Sequence, residues 1–272
     1  MKKSELLSWI WELNSGKPWK IITLMAWVHG DEKSGQIILF ELCESLDITS
    51  GIVYIISRAN PRAITQNIRQ TEKNMNRAFH DIPQWSTYED LRAQEILPIL
   101  RASDILLDVH NTINTENSIP FLISEHSEWD TYFPVDIVIS GLDILHPGGS
   151  DGYMNSIGKI WLCIEAGSIH FDDDGLIARE SIMNLLRATG NIEWLPTITA
   201  SQEKYHLDII IKAKTTEFQF VKKWLDFEWV KQWELIAHDG IEAIYAPYDG
   251  VVVFTHATKT IGDEMCVFGK IL

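Results

Sequence analysis

The chain has 272 residues, of which 46% are hydrophobic and 22% charged, and its formal net charge is −15. This length and composition are typical of a globular protein with one large domain, or with a large domain and a smaller companion. An acidic chain without a basic run is a poor binder of nucleic acid or of an anionic membrane surface, because both depend on positive charge.

Membrane-spanning and secreted classes are also disfavoured. The sequence has no apolar run near the ~20 residues that a membrane span requires. Its first residues lack the uninterrupted apolar core of a secretory signal, so we predict a cytoplasmic protein. The three cysteines are far apart and odd in number, which argues against a disulfide framework and against a thiolate zinc cluster.

The first 195 residues alternate patterns typical of helices and strands. The spacing of Leu6, Leu7, Ile10 and Leu13 predicts a short amphipathic helix over residues 5–13. Residues 63–85 are polar with little periodicity, which predicts a long loop. Further helices are predicted at residues 35–46, 87–101 and 174–187. Strands are predicted at residues 20–28, 52–56, 104–110, 119–124, 136–140 and 159–165.

This alternation predicts a layered α/β domain over residues 1–195. After Pro196 the pattern changes to short alternating runs separated by turns, such as Gly250-Val251-Val252-Val253-Phe254. Such runs predict a small, mostly antiparallel β domain over residues 196–272.

Three of the predicted strands end in residues that can bind a metal or move a proton. In chain order these residues are His29 with Glu32, then His110, then Glu165. The carboxyl ends of strands are where sites form in an open α/β sheet. Two His and one Glu suit Zn²⁺ and leave its fourth position for water, as in catalytic zinc sites. The pattern therefore predicts a mononuclear zinc hydrolase site.

Other residues near these strand ends have two interpretations each. Asp108 lies two residues before His110, on the same face of a strand, where its carboxylate can orient a ligating imidazole or simply end the strand. Glu165 is either a general base or a structurally paired carboxylate. Arg62 and Asn76-Arg77 lie in or beside the polar stretch. Arginine binds carboxylates and stabilises oxyanions, but solvation of a loop also explains each one.

Six short motifs occur in order along residues 20–190: His29-Gly30-Asp31-Glu32, Asn60-Pro61-Arg62-Ala63, Asn76-Arg77-Ala78-Phe79, Arg92-Ala93-Gln94-Glu95, Asp108-Val109-His110-Asn111-Thr112 and Ile164-Glu165-Ala166-Gly167. This ordered set resembles the succinylglutamate desuccinylase/aspartoacylase family of zinc-dependent amidohydrolases. The resemblance implies an α/β fold of the zinc-carboxypeptidase type, with a mixed sheet flanked by helices. The tail resembles the family's small C-terminal, mostly β domain.

The resemblance also implies roles for individual residues. It implies one zinc ion per chain with three ligands: His29, Glu32 and His110. It implies that Glu165 is the general base and acid, and that Arg62 polarises the scissile carbonyl. It implies three substrate-binding residues: Asn76, Arg77 and Asn111. The implied reaction removes the acyl group from a small carboxylated N-acyl amino acid.

One departure from the family concerns the substrate. Aspartoacylases carry a substrate-binding Arg about ten residues before the catalytic Glu, where this chain has Asn155, which argues against N-acetylaspartate. The alternatives are a metallocarboxypeptidase acting on peptide C-termini and a non-catalytic binding protein that uses the same pocket. A structural zinc is disfavoured because closed structural sites usually have four protein ligands. The sequence leaves open whether the chain forms a homo-oligomer.

Overall fold

A computed structural model describes residues 2–81, 86–171, 175–256 and 260–272. The protein has a mixed α/β fold, with helices on a large mixed sheet. Its helices are α1 (Ser34–Ser45), α2 (Pro61–Gln66), α3 (Tyr88–Ala102), α4 (Ser127–Asp130), α5 (Leu142–Leu145), α6 (Ser150–Ser156) and α7 (Leu176–Ala188). A 3₁₀ turn spans Met75–Arg77. None of the helices in these ranges is both long and apolar enough to cross a membrane.

The strands of the first half are β1 (Lys2–Leu7), β2 (Ile10–Asn14), β3 (Ile21–Ala26), β4 (Ile52–Ile56), β5 (Ile105–Thr112), β6 (Phe121–Ser124), β7 (Ile137–Ser140) and β8 (Ile160–Ser168). Those of the tail are β9 (Glu203–Lys212), β10 (Phe218–Phe220), β11 (Glu228–Val230), β12 (Leu235–Asp239), β13 (Glu242–Tyr245), β14 (Gly250–Val253) and β15 (Glu264–Ile271).

Within the described ranges, twelve strands form one sheet in the order β1-β2-β4-β3-β5-β8-β6-β7-β9-β15-β14-β11. The central strands β4, β3, β5 and β8 are parallel, so their carboxyl ends lie at one edge. Each residue of β5 is buried, as expected for a parallel strand with both faces covered. Helices α1 and α7 pack on one face of the sheet, and helices α3 and α6 on the other.

The predicted helix over residues 5–13 is wrong, because this segment forms the hairpin β1–β2. Trp9 has a φ of 67° at the turn, and β2 pairs antiparallel with β4. Ile10 and Leu13 are fully buried but belong to hydrophobic clusters on opposite faces of the sheet. A helix would place residues three apart on the same side, whereas a strand sends them to opposite faces. Pairing with the sheet therefore overrides the helical spacing.

The predicted long loop over residues 63–85 contains ordered structure. Helix α2 begins after Asn60, whose side chain accepts a hydrogen bond from the Ala63 N–H. The 3₁₀ turn follows within the same stretch, while residues 82–85 lie outside the described ranges. The helix predicted at 174–187 is α7, and Asp174 lies outside the described ranges.

Strand β9 connects the two parts of the chain that the sequence separates. It pairs parallel with β7 on one side and antiparallel with β15 on the other, so the large sheet continues into the tail. The tail also has a smaller sheet, β10-β12-β13, and a hydrophobic cluster that includes Phe218, Trp224 and Phe268. The division into domains 1–195 and 196–272 stays a prediction.

Candidate active site

Three side chains meet at the carboxyl ends of β3 and β5. His29 and Glu32 lie in the loop after β3, and His110 lies on the adjacent parallel strand β5. All three are buried, and their candidate ligand atoms lie within 4.8 Å of one another. Across the described ranges, this is the cluster of His, Cys, Asp and Glu that could hold a metal ion.

The glycine in this loop permits a close approach of the backbone. A Cβ on Gly30 would lie 2.2 Å from the carbonyl carbon of Ala63 in α2. The Gly30 N–H also donates to the carbonyl oxygen of Arg69, at 3.3 Å. The loop that carries His29 and Glu32 is thus packed directly against the segment around α2.

Both imidazole rings turn Nδ1 towards the same carboxylate. His29 Nδ1 lies 2.7 Å from Glu32 Oε1, and His110 Nδ1 lies 2.8 Å from Glu32 Oε2. The opposite ring nitrogens each face an acceptor: His29 Nε2 lies 3.0 Å from Asn74 Oδ1, and His110 Nε2 lies 3.1 Å from Asp108 Oδ2. Such outer partners orient the imidazoles of metal sites.

The acceptors at Nε2 favour the tautomer that each ring needs for binding a cation through Nδ1. Asn74 Oδ1 also accepts the Asn76 N–H at 2.9 Å, so its oxygen, rather than its amide nitrogen, faces His29. Without a cation, a proton on Nδ1 is needed for either ring to donate to Glu32. With a cation bound, a proton on each Nε2 would leave the lone pair of each Nδ1 for the cation. Two lone pairs and a carboxylate converging on one point match the donor set of a divalent cation such as Zn²⁺.

Burial and neighbouring charges shift the pKa values of the three residues. Burial lowers the pKa of His29, and the Arg69 guanidinium lowers it further. Burial opposes ionisation of Glu32, but the two imidazoles hold its pKa well below the ordinary value. Burial also opposes protonation of His110, yet the carboxylates of Asp108 and Glu32 raise its pKa well above 6.5. Glu32 is therefore ionised, as a metal ligand must be.

Glu165 lies beside this cluster on β8, directly opposite His110 in the parallel pair β5–β8. It is 8% exposed, and its Oε2 has no hydrogen-bond partner among the described residues. Burial raises its pKa to about 8, with the Glu32 carboxylate adding to the effect of burial and the His110 ring opposing it. A carboxylate with a free oxygen and a pKa near neutrality can accept and return a proton.

A cavity of about 130 Å³ opens onto the cluster and Glu165. Its volume suits a small molecule or the end of a chain rather than a folded partner. Its other lining residues include Arg69, Asn76, Arg77, Asn111, Ile123, Leu142, His146, Asp151, Trp161, Cys163, His256, Glu264 and Cys266.

Arg62 does not lie in this cavity. Its guanidinium pairs with Glu72 at 3.2 Å and lies 4.1 Å from the centre of the Tyr88 ring, with 57% of its side chain exposed. Arg69 does line the cavity, and its Nη1 lies 3.0 Å from Glu32 Oε1. Helix α2 turns Arg62 outwards, and the left-handed Asn67, with a φ of 51°, ends the helix and redirects the chain before Arg69. Both arginines lie in one polar stretch, so sequence alone did not distinguish them.

The other predicted substrate-binding residues line the cavity, but they differ in how many of their polar atoms already have hydrogen-bond partners. Arg77 Nη1 donates to its neighbour's carbonyl, and its Nη2 lies 3.5 Å from Glu264 Oε1. Asn76 Oδ1 accepts a backbone N–H, which leaves its amide nitrogen for other contacts. The Asn111 amide group is bonded to Ser34 and Gly167, and its backbone N–H donates to Glu32. Asn111 thus positions Glu32.

Several cavity residues had no recognisable signal in the sequence. Asp151 lies in the first turn of α6, and Glu264 begins β15 in the tail. Glu264 pairs with Arg77 through Oε1, and its Oε2 lies 3.3 Å from His146 Nε2. The carboxylate of Glu264 therefore connects three segments that are far apart in the sequence. Only the folded arrangement of these segments brings them to the site.

Comparison with known proteins was made for the sequence and for the fold. A sequence model of the succinylglutamate desuccinylase/aspartoacylase catalytic domain matches residues 18–193. The search of curated proteins found no match.

Solved structures show the same fold at low sequence identity. Succinylglutamate desuccinylase from Vibrio cholerae superimposes with a TM-score of 0.79 at 18% identity, over 96% of this chain and 85% of that one. A succinylglutamate desuccinylase/aspartoacylase from Rhodobacter sphaeroides has a TM-score of 0.76 at 21% identity, and the match covers 97% of this chain and 88% of that one. The product-bound ectoine utilization protein from Ruegeria pomeroyi has a TM-score of 0.75 at 19% identity, and the match covers 96% of this chain and 88% of that one.

Proposed function

Because the chain belongs to the succinylglutamate desuccinylase/aspartoacylase family, we propose that it is a zinc-dependent amidohydrolase that removes the acyl group from a small carboxylated N-acyl amino acid. The observation that carries this proposal is the convergence of His29 Nδ1, His110 Nδ1 and the Glu32 carboxylate beside the free oxygen of Glu165. The proposal includes a zinc-carboxypeptidase type of fold, with residues 196–272 as a small β domain.

The proposed metal ligands are His29, Glu32 and His110, with one zinc ion per chain. The anchored Nε2 atoms of both histidines and the ionised state of Glu32 support this assignment. Bound zinc would supply Lewis acidity, which lowers the pKa of water and polarises a carbonyl group.

Glu165 is the proposed general base and acid. Its free Oε2 takes a proton from the attacking water and later gives it to the nitrogen of the leaving amine. Burial supports this role because it raises the affinity of the carboxylate for a proton.

Arg69, rather than Arg62, is the proposed residue that stabilises the charge on the carbonyl oxygen. Its guanidinium lines the cavity beside Glu32, and a preorganised cation at this place favours the charged transition state. Arg77 and the free amide nitrogen of Asn76 are proposed to bind the substrate carboxylate, as a guanidinium does in a charge-assisted hydrogen bond.

Two measurements on purified protein test the proposal. The first is metal content in the wild type and in His110→Ala, where we expect about one zinc per chain and little in the variant. The second is hydrolysis of a panel of N-acetyl and N-succinyl amino acids, with peptides as the comparison. Zinc binding without turnover of any compound would favour the binding-protein alternative. Turnover of peptides alone would favour a carboxypeptidase.

A further inference from the structure

Glu264 carries a charge of the tail to the cavity, where its carboxylate faces three nitrogen-bearing side chains. Its Oε1 lies 3.5 Å from Arg77 Nη2 and 3.6 Å from Lys212 Nζ. Its Oε2 lies 3.3 Å from His146 Nε2. Arg77 and His146 line the cavity together with Glu264, whereas Lys212 is not among the lining residues. The carboxylate therefore has one cationic partner at the cavity and a second one away from it.

Arg77 requires a counter-ion when no ligand is bound. Burial lowers the pKa of its guanidinium, and the carboxylates of Glu264 and Asp151 oppose this effect. Nη1 of Arg77 donates to the carbonyl oxygen of Asn76 at 2.8 Å, while Nη2 faces Glu264. A partly buried charge is unfavourable unless it is paired. Glu264 forms an ion pair with this guanidinium, so it neutralises the charge that is proposed to bind the substrate.

His146 offers Glu264 a hydrogen-bond donor but not a positive charge. Burial and the Arg77 guanidinium lower the pKa of His146 to about 4, so its ring is neutral near pH 7. Among the described residues, the cations that pair with Glu264 are thus Arg77 and Lys212. If a ligand carboxylate binds Arg77 while Glu264 stays in place, two negative charges share one guanidinium and repel each other.

Lys212 offers Glu264 an alternative partner. The two residues face each other across the antiparallel strands β9 and β15, so their side chains lie on the same face of the sheet. Lys212 Nζ already lies close to the same oxygen that faces Arg77. The Lys212 side chain is 54% exposed, and a long, exposed lysine can follow a small rotation of the carboxylate. Glu264 can therefore leave Arg77 without losing a cationic partner.

We propose that Glu264 is a specificity-determining residue, which neutralises Arg77 in the free protein and moves towards Lys212 when a ligand carboxylate takes its place. Glu264 thereby sets how strongly the cavity prefers a ligand with a carboxylate over the same ligand without one. This inference rests on the proposed function in one respect, namely that Arg77 binds the substrate carboxylate. It can be tested by binding alone, without turnover.

The first test compares ligands that differ in the carboxylate. The free amino acids norvaline, leucine and phenylalanine are each paired with the primary amide, and binding to the purified protein is measured by calorimetry. The ratio of the two affinities is the carboxylate preference. We expect Glu264→Gln to increase this preference about 3- to 10-fold, because it removes the competing charge of a partly exposed ion pair and keeps the shape of the side chain. Binding of the amides should stay almost unchanged.

Glu242→Gln is the matched control for this substitution. Glu242 is also a carboxylate of the tail that pairs with a lysine, but its partner is Lys214 on the surface, and it does not line the cavity. The control variant should keep the carboxylate preference of the wild type. Thermal melting should establish that both variants fold.

The second test uses Lys212→Met, which removes the alternative partner of Glu264. We expect the carboxylate preference to fall about 3-fold, because Glu264 then holds Arg77 more firmly. In the Glu264→Gln background the same substitution should have no effect, whereas a general effect of positive charge on an anionic ligand would persist there. A change of equal size in both backgrounds would overturn the proposed exchange.

The remaining outcomes separate this inference from the deacylase function. A preference that is unchanged or lowered in Glu264→Gln would overturn the inference, as would the absence of binding of every amino acid to both proteins. If Glu264→Gln failed to fold, an unchanged preference in Lys212→Met would still overturn it. Turnover of N-acyl amino acids with an unchanged preference would leave the function standing. An increased preference in Glu264→Gln without turnover of any compound would overturn the function and keep the role of Glu264.

Discussion

Asp108 Oδ2 lies 3.1 Å from His110 Nε2, two residues away on the same face of β5. Asp108 is fully buried, and the same oxygen accepts the Ser150 hydroxyl. The carboxylate thus orients the imidazole whose Nδ1 points to Glu32, and it connects the candidate metal site to helix α6. This relationship explains why a charged residue is kept in the middle of a buried strand.

We predict that Asp108→Asn weakens zinc binding by about 10- to 100-fold, because the outer partner of a ligating His sets its orientation and basicity. Competition with a chromophoric chelator measures the affinity. Asp104→Asn is a suitable control, since Asp104 precedes the same strand at its other end, where it bonds to Ile21. Unchanged zinc affinity in Asp108→Asn would contradict an orienting role.

We predict that Glu165→Gln retains zinc but lowers kcat by about 10²- to 10⁴-fold, the usual contribution of general acid–base catalysis. The measurement is steady-state hydrolysis of the best substrate in the panel, with metal content determined on the same preparation. Glu125→Gln is the control, because burial also raises the pKa of Glu125 although it does not line the cavity. A Glu165→Gln enzyme of near-normal rate would remove Glu165 from the mechanism.

The two arginines form a matched pair for mutagenesis. We predict that Arg69→Ala lowers kcat by about 10²- to 10³-fold, because it removes a donor for the charged transition state. The kcat of Arg62→Ala should stay close to that of the wild type, because Arg62 is an exposed side chain paired with Glu72 on the surface. Rates measured at saturating substrate decide between them, and the reverse order of effects would restore Arg62 as the catalytic arginine.

The pKa of Glu165 predicts a pH effect on the stability of the metal-free protein. In the fold this pKa is raised from 4.5 to about 8, so the folded state holds a proton that the unfolded chain releases at lower pH. The resulting stabilisation is complete below pH 4.5 and is lost as the pH rises towards 8.

The melting temperature of chelator-treated wild type should therefore fall more between about pH 5 and about pH 9 than that of Glu165→Gln, which has no proton to lose at this position. Differential scanning calorimetry of both proteins measures the difference. Parallel profiles for the two proteins would show that Glu165 does not titrate abnormally in the fold.

Local sequence was informative wherever an apolar run ended in a polar residue. The strands that lead to His29, His110 and Glu165 were predictable, because a short β-branched run has few other stable conformations in a core. Their meeting at one edge followed from the parallel α/β pattern. The sequence similarly indicated Asp108, since side chains two apart on a strand share a face.

Local sequence was misleading where tertiary pairing decides the structure. Residues 5–13 have helical spacing but form a hairpin, because β2 pairs with the edge of β4. In this strand Ile10 packs into the hydrophobic cluster on one face of the sheet and Leu13 into the cluster on the other face. The choice between Arg62 and Arg69 depends on the left-handed turn at Asn67. The sequence of a polar stretch does not show whether the side chains that follow such a turn face the cavity or the solvent.

The sequence by itself identified the candidate metal ligands and Glu165. Each of them lies at or just after the end of a strand, and the apolar residues of that strand predict that it is buried. Only the tertiary structure decided what surrounds them. Asp151, Glu264 and Arg69 reach the cavity from α6, β15 and the segment after α2. Their positions depend on contacts between segments far apart in the chain, so the charges that would select a substrate become apparent only after folding.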